Sequence, residues 1–316
     1  MSEALCRRKH SAMSLSLSIG RAKVEAATEA LELVFRDVVP ELRPYYVQTI
    51  AAAIQDGSVP SDGLLEARRG GRLVGALWCH MQAGRTALLR PPRVVEYEPA
   101  ETALLLLEAA NSYLSAEGAK VAQAILEHES LMDEALLGAV GYRRGAKLDY
   151  LMSETRDFPR ERPAQSLAFQ PYCAANHRRL VHVVEATYEG TLDCPLLNGV
   201  RDIEEVLTSY RATGVFDPAR WLIVQHGAED VGCLLLTDHP ETETWELVYM
   251  GLRVSARGRG WGTQLVRYAQ WLAFMAGRPR VMAAVDAANG PAVRAYRASG
   301  FRKCDERTVF LRVFAS

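Results

Sequence analysis

The sequence predicts an α/β protein with mixed sheets, built from two tandem domains that share one order of helices and strands. Its 316 residues are too many for the usual single core and suit two domains of ordinary size. Segments with apolar residues at helical spacing alternate with short segments of strand-like alternation. The same order of segments recurs in the second half at a nearly constant offset in residue number, which favours a tandem duplication.

The first half starts with residues 1–20, which are predicted to form a flexible N-terminus. Residues 21–156 then show two helices, two strands joined by a Gly-Gly turn, and a helix–strand–helix–strand series. The predicted helices are 22–35, 40–55, 100–116 and 131–140, and the predicted strands are 63–67, 73–81, 121–127 and 148–153. Residues 157–165 contain two prolines and four charged residues, which predicts a linker.

The second half, residues 166–316, repeats this order. Its predicted helices are 174–187, 203–212, 260–276 and 291–299, and its predicted strands are 221–225, 231–237, 245–254, 280–286 and 308–314. Two short similarities set the alignment of the halves: Val74 corresponds to Val231 and Gly141 to Gly300, offsets of 157 and 159 residues. Offsets this close, so far apart in the chain, indicate a repeat and not a coincidence of turn glycines.

The composition excludes several classes of partner. Lys plus Arg number 37 against 38 Asp plus Glu, so the net charge of −1 gives no global field for nucleic acid or an anionic membrane. Six cysteines without a CxxC pair and seven scattered histidines predict no metal site, and reduced thiols predict a cytoplasmic protein. No segment has the apolar length expected of a signal peptide or a membrane span.

The most informative segment is a glycine-rich turn between a predicted strand and a predicted helix. Residues 257–262 read Arg-Gly-Arg-Gly-Trp-Gly, and they open the helix that follows strand 245–254. Glycines at such a turn let the backbone approach a ligand closely, and N–H groups at a helix start bind anions such as a pyrophosphate. The spacing fits neither a Rossmann fingerprint nor a P-loop, which requires Gly-Lys-Ser or Gly-Lys-Thr.

This segment resembles the acetyl-CoA signature of the GCN5-related N-acetyltransferase (GNAT) superfamily. The family motif Q/R-x-x-G-x-G/A corresponds to Arg257, Gly260 and Gly262, and a second signature runs from Asn289 through Tyr296 to residues 300–301. The resemblance covers residues 166–316, while residues 21–156 resemble the family in element order only. It implies an acetyltransferase domain at 166–316 that follows a degenerate acetyltransferase-like domain, an arrangement similar to that of mycothiol synthase.

The resemblance also implies which residues bind acetyl-CoA, the expected co-substrate. The backbone of the strand before the motif would bond the pantetheine arm, and the glycine-rich turn would hold the pyrophosphate. Asn289 would point toward the pantetheine or the acyl end, although it can instead be a plain helix cap. The complete predicted cofactor-binding set is Met250, Gly251, Leu252, Arg257, Gly258, Arg259, Gly260, Trp261, Gly262, Thr263 and Asn289.

Two residues are the predicted catalytic groups. Glu246 precedes Arg257 by eleven residues, as the family's glutamate base does, and a carboxylate can take the proton that an attacking amine must lose. Tyr296 occupies the position of the family's tyrosine, which lies near the thioester sulfur and can protonate the departing thiolate. The alternatives are a glutamate on a solvated strand face and a tyrosine that only packs in the core.

The predicted function is therefore transfer of an acetyl group from acetyl-CoA to a primary amine by direct attack. The acceptor is a small molecule or a peptide, and helices 174–187 and 203–212 with the loop 188–195 are expected to select it. The first half lacks the glycines: the segment matching the glycine-rich turn is Pro99–Leu104, with Glu101 where phosphate would lie. The alternatives are a non-catalytic acyl-CoA-binding or protein-interaction module, and an acyl donor other than acetyl-CoA.

Overall fold

The computed structural model describes residues 16–163 and 166–314. Over these residues the first half contains six strands and four helices in the order β-α-α-β-β-β-α-β-α-β. The strands are β1 Leu17–Arg21, β2 Leu64–Arg69, β3 Arg72–Gln82, β4 Thr86–Val94, β5 Val121–Leu126 and β6 Arg143–Glu154. The helices are α1 Ala27–Val34, α2 Arg43–Gln55, α3 Ala100–Ala116 and α4 Leu131–Ala139.

The second half has the same order of six strands and four helices. The strands are β7 Ala168–Pro171, β8 Trp221–His226, β9 Glu229–His239, β10 Thr244–Leu252, β11 Arg280–Asp286 and β12 Arg302–Val313. The helices are α5 His177–Thr187, α6 Ile203–Arg211, α7 Trp261–Met275 and α8 Gly290–Ala298. The mixed α/β fold and the repeated element order that the sequence predicts are therefore confirmed.

The chain divides into two compact units. The first comprises the described residues up to Cys79 together with Arg90–Tyr113. In it, β1 and β2 pair antiparallel, as do β2 and β3, and α1 and α2 bury an apolar core that includes Leu31, Phe35 and Leu64. Helix α1 contributes to this core because Ala27, Ala30, Leu31 and Val34 recur at helical spacing on one face.

The second unit comprises His80–Leu89 and the described residues from Leu114 onward. Its strands follow the order β5-β12-β6-β11-β10-β9-β8-β7, and Thr86–Leu89 of β4 pair in parallel with β5. The two sequence halves interleave in this sheet. Strand β6, from the first half, lies between β11 and β12, and β12, from the second half, lies between β5 and β6.

The two faces of this sheet carry separate cores. On one face, α7 and α8 pack against apolar side chains of the central strands, among them Leu234, Leu247, Val281 and Val285. On the other face, α5 and α6 pack against Ile223, Cys233 and Leu235 of β8 and β9, with Trp221 fully buried among them. Successive residues of β9 alternate between the two cores, as the two-residue period of a strand requires.

Three strands are absent from the sequence prediction. Strand β1 occupies residues 17–21 and overlaps the end of the segment 1–20, for which the sequence predicts a flexible N-terminus; residues 1–15 lie outside the described residues. Strand β7 has four residues, and β4 contains two consecutive prolines, Pro91 and Pro92. Such segments give weak strand signals because strand prediction depends on runs of alternating apolar residues without proline.

Strand β12 starts six residues earlier than the sequence predicts, at Arg302. Its first half is rich in charged residues, which strands usually disfavour. These charges pair with neighbours: Lys303 Nζ lies 2.6 Å from Asp149 Oδ1 of β6, and Arg307 Nε lies 2.8 Å from Asp305 Oδ2. Ion pairs across and along the strand therefore stabilise this part of β12, which lacks the alternating apolar residues by which strands are predicted.

The segment predicted as a linker is anchored over its described part, residues 157–163. Asp157 accepts a hydrogen bond of 2.8 Å from Arg302, and Phe158 is buried in the apolar core to which α7 contributes. The division into domains 21–156 and 166–316 stays a prediction. No helix among the described residues has both the length and the apolar composition that a membrane span requires.

Candidate active site

Strands β10 and β11 separate partway along their length. They pair in parallel only over Thr244–Glu246 and Arg280–Met282, and beyond these residues β10 continues to pair with β9 alone. An irregularity at Val248 shifts the register of β10 against β9, as expected of a β-bulge, which bends a strand. The result is a gap that opens from Glu246 toward the carboxyl end of β10.

A cavity of about 640 Å³ occupies this gap. Its volume lies in the usual range for small-molecule sites, roughly 300–1,000 Å³. One wall is β10 from Leu247 to Leu252, the opposite wall is Ala284 and Val285 of β11 with one face of α8, and the rim is the glycine-rich turn. Residues that follow α5, from Gly190 to Asp193, complete the lining.

The glycine-rich turn has the backbone conformation that its sequence requires. Gly258 and Gly260 have φ values of +77° and +75°, and Gly260 is the N-cap of α7. Side chains rarely tolerate these angles, and the first-turn N–H groups of a helix have no acceptor within the helix. A Cβ at Gly260 would meet no atom within 4 Å, so the space above this turn is open to a ligand.

Ten of the thirteen predicted site residues line this cavity. They are Met250, Gly251, Leu252, Arg257, Gly258, Gly260, Gly262, Thr263, Asn289 and Tyr296. The other three predicted residues, Glu246, Arg259 and Trp261, are not part of its lining. The indole of Trp261 is buried in the core, with its ring centre 4.8 Å from that of His226. The Arg259 guanidinium lies 5.0 Å from the centre of the Trp261 ring.

Arg257 uses its side chain for contacts within the protein. Its guanidinium donates hydrogen bonds to the backbone carbonyls of Leu252, Thr187, Glu189 and Gly190, at 2.7–3.0 Å. Three of these carbonyls belong to the end of α5 and the residues after it. The arginine of the predicted motif therefore caps the carboxyl end of a neighbouring helix, where a cation is favourable.

Tyr296 lies on α8, where it belongs to the apolar core and also lines the cavity. The ring is 4% exposed and meets Phe301 edge-on at 5.2 Å. Burial raises the pKa of Tyr296 above the usual value of a phenol, and the charge of Asp193 adds to the rise. The hydroxyl therefore stays protonated at neutral pH, which a proton donor requires.

Asn289 is the N-cap of α8 and also lines the cavity. Its Oδ1 accepts a hydrogen bond of 3.3 Å from the backbone N–H of Ala292. The capping role that the sequence offered as an alternative is thus present. A cofactor contact by Asn289 stays a prediction.

Glu246 lies at the point where β10 and β11 separate, one residue before the cavity wall begins. Its carboxylate Oε2 accepts a hydrogen bond of 2.8 Å from Nε2 of His239, at the end of β9. The Glu246 side chain is 20% exposed to solvent. Glu246 is thus a partly buried, partnered carboxylate beside the gap.

A second cavity, of about 300 Å³, adjoins the first. The two share Thr191, Asp193 and Tyr249 as wall residues. The second cavity lies between α5, α6 and the residues that connect them, which is where the sequence places acceptor selection. A molecule bound there would therefore border the cavity in the strand gap.

Three tyrosines form one wall of the second cavity. The Tyr188 and Tyr210 hydroxyls are 2.9 Å apart, and the rings of Tyr210 and Tyr249 stack at 5.4 Å. Burial raises the pKa of all three phenols above the usual value. This wall therefore presents neutral aromatic surface at any pH near neutrality.

Asp193 is the carboxylate common to both cavities. Its Oδ1 accepts a hydrogen bond of 3.1 Å from the backbone N–H of Asp286, and Asp286 Oδ2 accepts one of 3.3 Å from the N–H of Cys194. Desolvation by the surrounding protein raises the pKa of the Asp193 carboxyl above its usual value. The hydrogen bond from the backbone N–H of Asp286 opposes this rise. Asp193 belongs to the loop 188–195 that the sequence predicts to select the acceptor, whereas no motif in the sequence identifies Asp286.

The described residues contain no group of three or more His, Cys, Asp or Glu side chains that could hold a metal ion. Cys233 is fully buried in β9, and burial raises the pKa of its thiol to about 12. It is therefore a small apolar core residue with an unreactive thiol. Arg294 of α8 lines the larger cavity with its neighbours Pro291 and Ala295, and no motif in the sequence identified it.

Comparison with known proteins shows that part of this chain is similar to a known family. Residues 155–301 match the model of the Acetyltransferase (GNAT) family. A mycothiol acetyltransferase of Streptomyces bingchenggensis is 38% identical over 88 residues, which is 27% of this chain. The chain spans only 28% of the length of that relative, so the match concerns a part of each protein.

Solved structures extend the similarity of fold to nearly the whole chain. A GCN5-related N-acetyltransferase from Sphaerobacter thermophilus aligns with a TM-score of 0.62 at 14% identity, covering 94% of this chain and 95% of that one. A tandem GNAT protein from the clavulanic acid biosynthesis pathway aligns with a TM-score of 0.52 at 14% identity, covering 95% and 100%. At these identities the similarity concerns the fold alone.

Proposed function

Because residues 155–301 form a domain of the Acetyltransferase (GNAT) family, we propose that this protein transfers an acetyl group from acetyl-CoA to a primary amine by direct attack. One observation carries the proposal. The cavity between β10 and β11 runs from the glycine-rich turn, where a pyrophosphate fits, to Leu247 beside Glu246. A long thioester needs such a channel, with an anion site at one end and a place for chemistry at the other.

The residues of the cavity fit acetyl-CoA in three ways. The first turn of α7 offers backbone N–H groups to the pyrophosphate, with space above Gly260. The edge of β10 from Met250 to Leu252 faces the gap without a strand partner on that side, so its backbone is available to the amides of the pantetheine arm. Mostly apolar side chains of α8 and β11 line the channel beyond.

The chemistry requires two proton transfers. The amine nitrogen forms a bond to the acetyl carbon and the carbon–sulfur bond breaks, while Glu246 takes the proton that the nitrogen loses. Tyr296 gives its hydroxyl proton to the departing CoA thiolate, or hydrogen-bonds to it. Partial burial of Glu246 beside the gap and the raised pKa of Tyr296 support these two roles.

We further propose a division of labour between the halves. Residues 166–316 carry the acetyl-CoA site, and residues 21–156 are a degenerate acetyltransferase-like domain, joined by the linker 157–165. In the first half, Glu101 lies in the first turn of α3, where a carboxylate would repel a phosphate. The acceptor is a small molecule or a peptide amine, and the five described cysteines are free thiols, as expected in the cytoplasm.

The substitution Gly260→Glu tests the proposal. It introduces a side chain and a negative charge into the helix start, so we expect acetyl-CoA binding to be lost. Calorimetric titration of the full-length protein with acetyl-CoA measures this. Gly277→Glu is the matched control, because Gly277 has a similar φ of +71°, open space around it, and a position at the far end of α7.

We expect both variants to lose a similar amount of stability, roughly 1–2 kcal/mol for a side chain in the left-handed region. Only Gly260→Glu should lose acetyl-CoA binding. Undiminished binding in Gly260→Glu would exclude this cavity as the cofactor site. If wild-type protein binds acetyl-CoA but acetylates none of a panel of amines, polyamines, aminosugars, amino acids and peptides, a non-catalytic acyl-CoA-binding module becomes the better explanation.

A further inference from the structure

The segment that follows α5 forms part of both cavities. This segment, residues 188–194, is called the cavity loop. Thr191 and Asp193 line both cavities, and Gly190 and Leu192 line the larger one. A small displacement of the cavity loop would therefore change the wall of the cofactor cavity and the wall of its neighbour together.

Arg257 holds the beginning of the cavity loop. Its Nη2 donates to the carbonyls of Thr187 and Glu189 at 2.9 and 2.7 Å, and its Nη1 donates to the carbonyl of Gly190 at 3.0 Å. Its Nε donates to the carbonyl of Leu252, the last residue of β10, at 3.0 Å. One side chain thus joins the end of α5, the cavity loop and the strand that lines the cofactor cavity.

These contacts leave Arg257 little capacity to bind a phosphate. A guanidinium has five N–H donors, and four hydrogen bonds to carbonyls occupy most of them. The backbone N–H of Arg257 is also engaged, because it donates to the carbonyl of Val254 at 3.2 Å. Any hydrogen bonds from the turn to a pyrophosphate must then come mainly from the backbone after Arg257.

Asp286 holds the other end of the cavity loop. It exchanges two hydrogen bonds with the loop, accepting from the N–H of Cys194 and donating its own N–H to Asp193. Cys194 has a φ of +41°, a conformation that a residue with a side chain adopts only when its surroundings impose it. Asp286 is 4% exposed and ends β11, so this anchor joins the cavity loop to the strand whose Ala284 and Val285 line the larger cavity.

We propose that Arg257 is a positioning residue which, together with Asp286, clamps the cavity loop onto the two strands of the cofactor site. The clamp fixes the acceptor-side wall in the position set by the glycine-rich turn and the end of β11. Its significance for catalysis rests on the proposed function. The anchoring itself is a property of the free protein and can be tested without any cofactor.

Hydrogen exchange of the full-length protein, followed by mass spectrometry of peptides covering residues 186–196, tests the clamp. Several amides there are protected by hydrogen bonds, for example the N–H of Thr191 to the carbonyl of Tyr188 at 3.1 Å. In Arg257→Ala we expect exchange of this segment to be at least about tenfold faster, since two or more anchoring hydrogen bonds are lost. Arg257→Lys should lie between this variant and wild type, because an ammonium can replace only some of the four contacts.

Arg259→Ala is the charge-matched control for this measurement. Arg259 lies on the same turn, and its guanidinium contacts the Trp261 ring and not the cavity loop. We expect wild-type exchange of residues 186–196 in this variant. Unchanged exchange in Arg257→Ala, with acetyl-CoA bound at least about tenfold more weakly, would identify Arg257 as a phosphate ligand and overturn the clamp.

Asp286→Asn gives a second route if Arg257→Ala does not fold. The Asp286 carboxylate accepts one hydrogen bond from the N–H of Cys194 and another, of 2.9 Å, from the N–H of Ala288. An amide has one oxygen and can accept only one of these two bonds without a rearrangement, so we expect exchange near Cys194 to accelerate. Wild-type exchange in both Asp286→Asn and Arg257→Lys would overturn the proposal. Failure of wild-type protein to bind acetyl-CoA would instead contradict the proposed function and leave the exchange comparison valid.

Discussion

At the scale of single residues, Glu246 is set apart by its neighbours. It is the last residue of β10 that pairs with β11, and its carboxylate is held by His239 at 2.8 Å. The hydrogen bond fixes the direction of the carboxylate, and the adjacent gap brings the proposed thioester within its neighbourhood. A glutamate on an ordinary solvated strand face would have neither feature.

We therefore expect Glu246→Gln to lower turnover by roughly a hundredfold while leaving acetyl-CoA affinity nearly intact. The loss should be greatest at pH values where the acceptor amine is mostly protonated, because only then must a base remove a proton before attack. Steady-state rates against pH, with an amine that the wild type acetylates, measure this. Glu241→Gln changes an exposed glutamate on the turn before β10 and is the control. Equal pH profiles for wild type and Glu246→Gln would exclude Glu246 as the base.

Tyr296→Phe should reduce kcat while keeping the ring packing, the fold and CoA binding. The pKa of Tyr296 is raised by burial, so the hydroxyl remains a proton donor throughout the neutral range and loss of activity through its ionisation is expected only in strong base. A defect of at least about tenfold is expected, and it should shrink with acyl donors whose leaving thiol is more acidic.

The control for this prediction is Tyr268→Phe. Tyr268 lies on α7, stacks on Phe169 at 3.8 Å and is not part of the cavity lining. Turnover of this variant should match wild type. If Tyr296→Phe melts at lower temperature with unaltered turnover per folded molecule, its hydroxyl has a structural role only.

At the residue scale, sequence reasoning worked where local geometry dictates residue type. The positive φ of Gly258 and Gly260 requires glycine, so the turn could be found from the sequence. The role of Arg257 could not, because its four acceptors include three carbonyls that lie about 70 residues earlier in the chain. The same holds for Asp286, whose partner Cys194 is 92 residues away.

At the scale of elements, helices and central strands followed from periodicity. Helix α7 was predicted as residues 260–276 and observed as Trp261–Met275, because its apolar face is long and its start is marked by glycine. Short peripheral strands such as β1 and β7 carry too few apolar residues to be recognised. The separation of β10 from β11 has no signal in the apolar periodicity, and it coincides with the irregularity at Val248, since a bulge bends the strand.

Helix α5 and the cavity loop show how an element acquires its position from its ends. Helix α5 is amphipathic and buries Leu180, Val183 and Val184, which fixes its rotation but leaves its carboxyl end free. The last carbonyls of a helix have no N–H donor within the helix. The Arg257 guanidinium donates hydrogen bonds to the carbonyls at that end of α5. The wall of the cofactor cavity is therefore set by a capping interaction between two elements.

At the scale of the whole molecule, strands from both halves of the sequence repeat belong to one sheet in the second unit. Leu148–Glu154 of β6 pair with Arg280–Asp286 of β11, and β12 pairs with both β5 and β6. Residues from both sides of the segment 157–165 thus alternate in one hydrogen-bonded ladder. The connecting segment can be cut without breaking any of these pairs.

This interleaving makes a prediction about a chain cleaved between its halves. With a protease site placed between Pro163 and Ser166, cleavage should leave the two pieces associated in size-exclusion chromatography, with the melting temperature lowered only slightly. Without its partner piece, β12 would lose both neighbouring strands and β11 would lose its antiparallel neighbour, so backbone N–H and C=O groups and the apolar sheet faces would be exposed. The separated C-terminal piece should therefore show no cooperative melting by circular dichroism and no binding of acetyl-CoA. A C-terminal piece that elutes alone after cleavage, melts cooperatively and still binds acetyl-CoA would contradict this prediction, because its sheet would then be stable without β5 and β6.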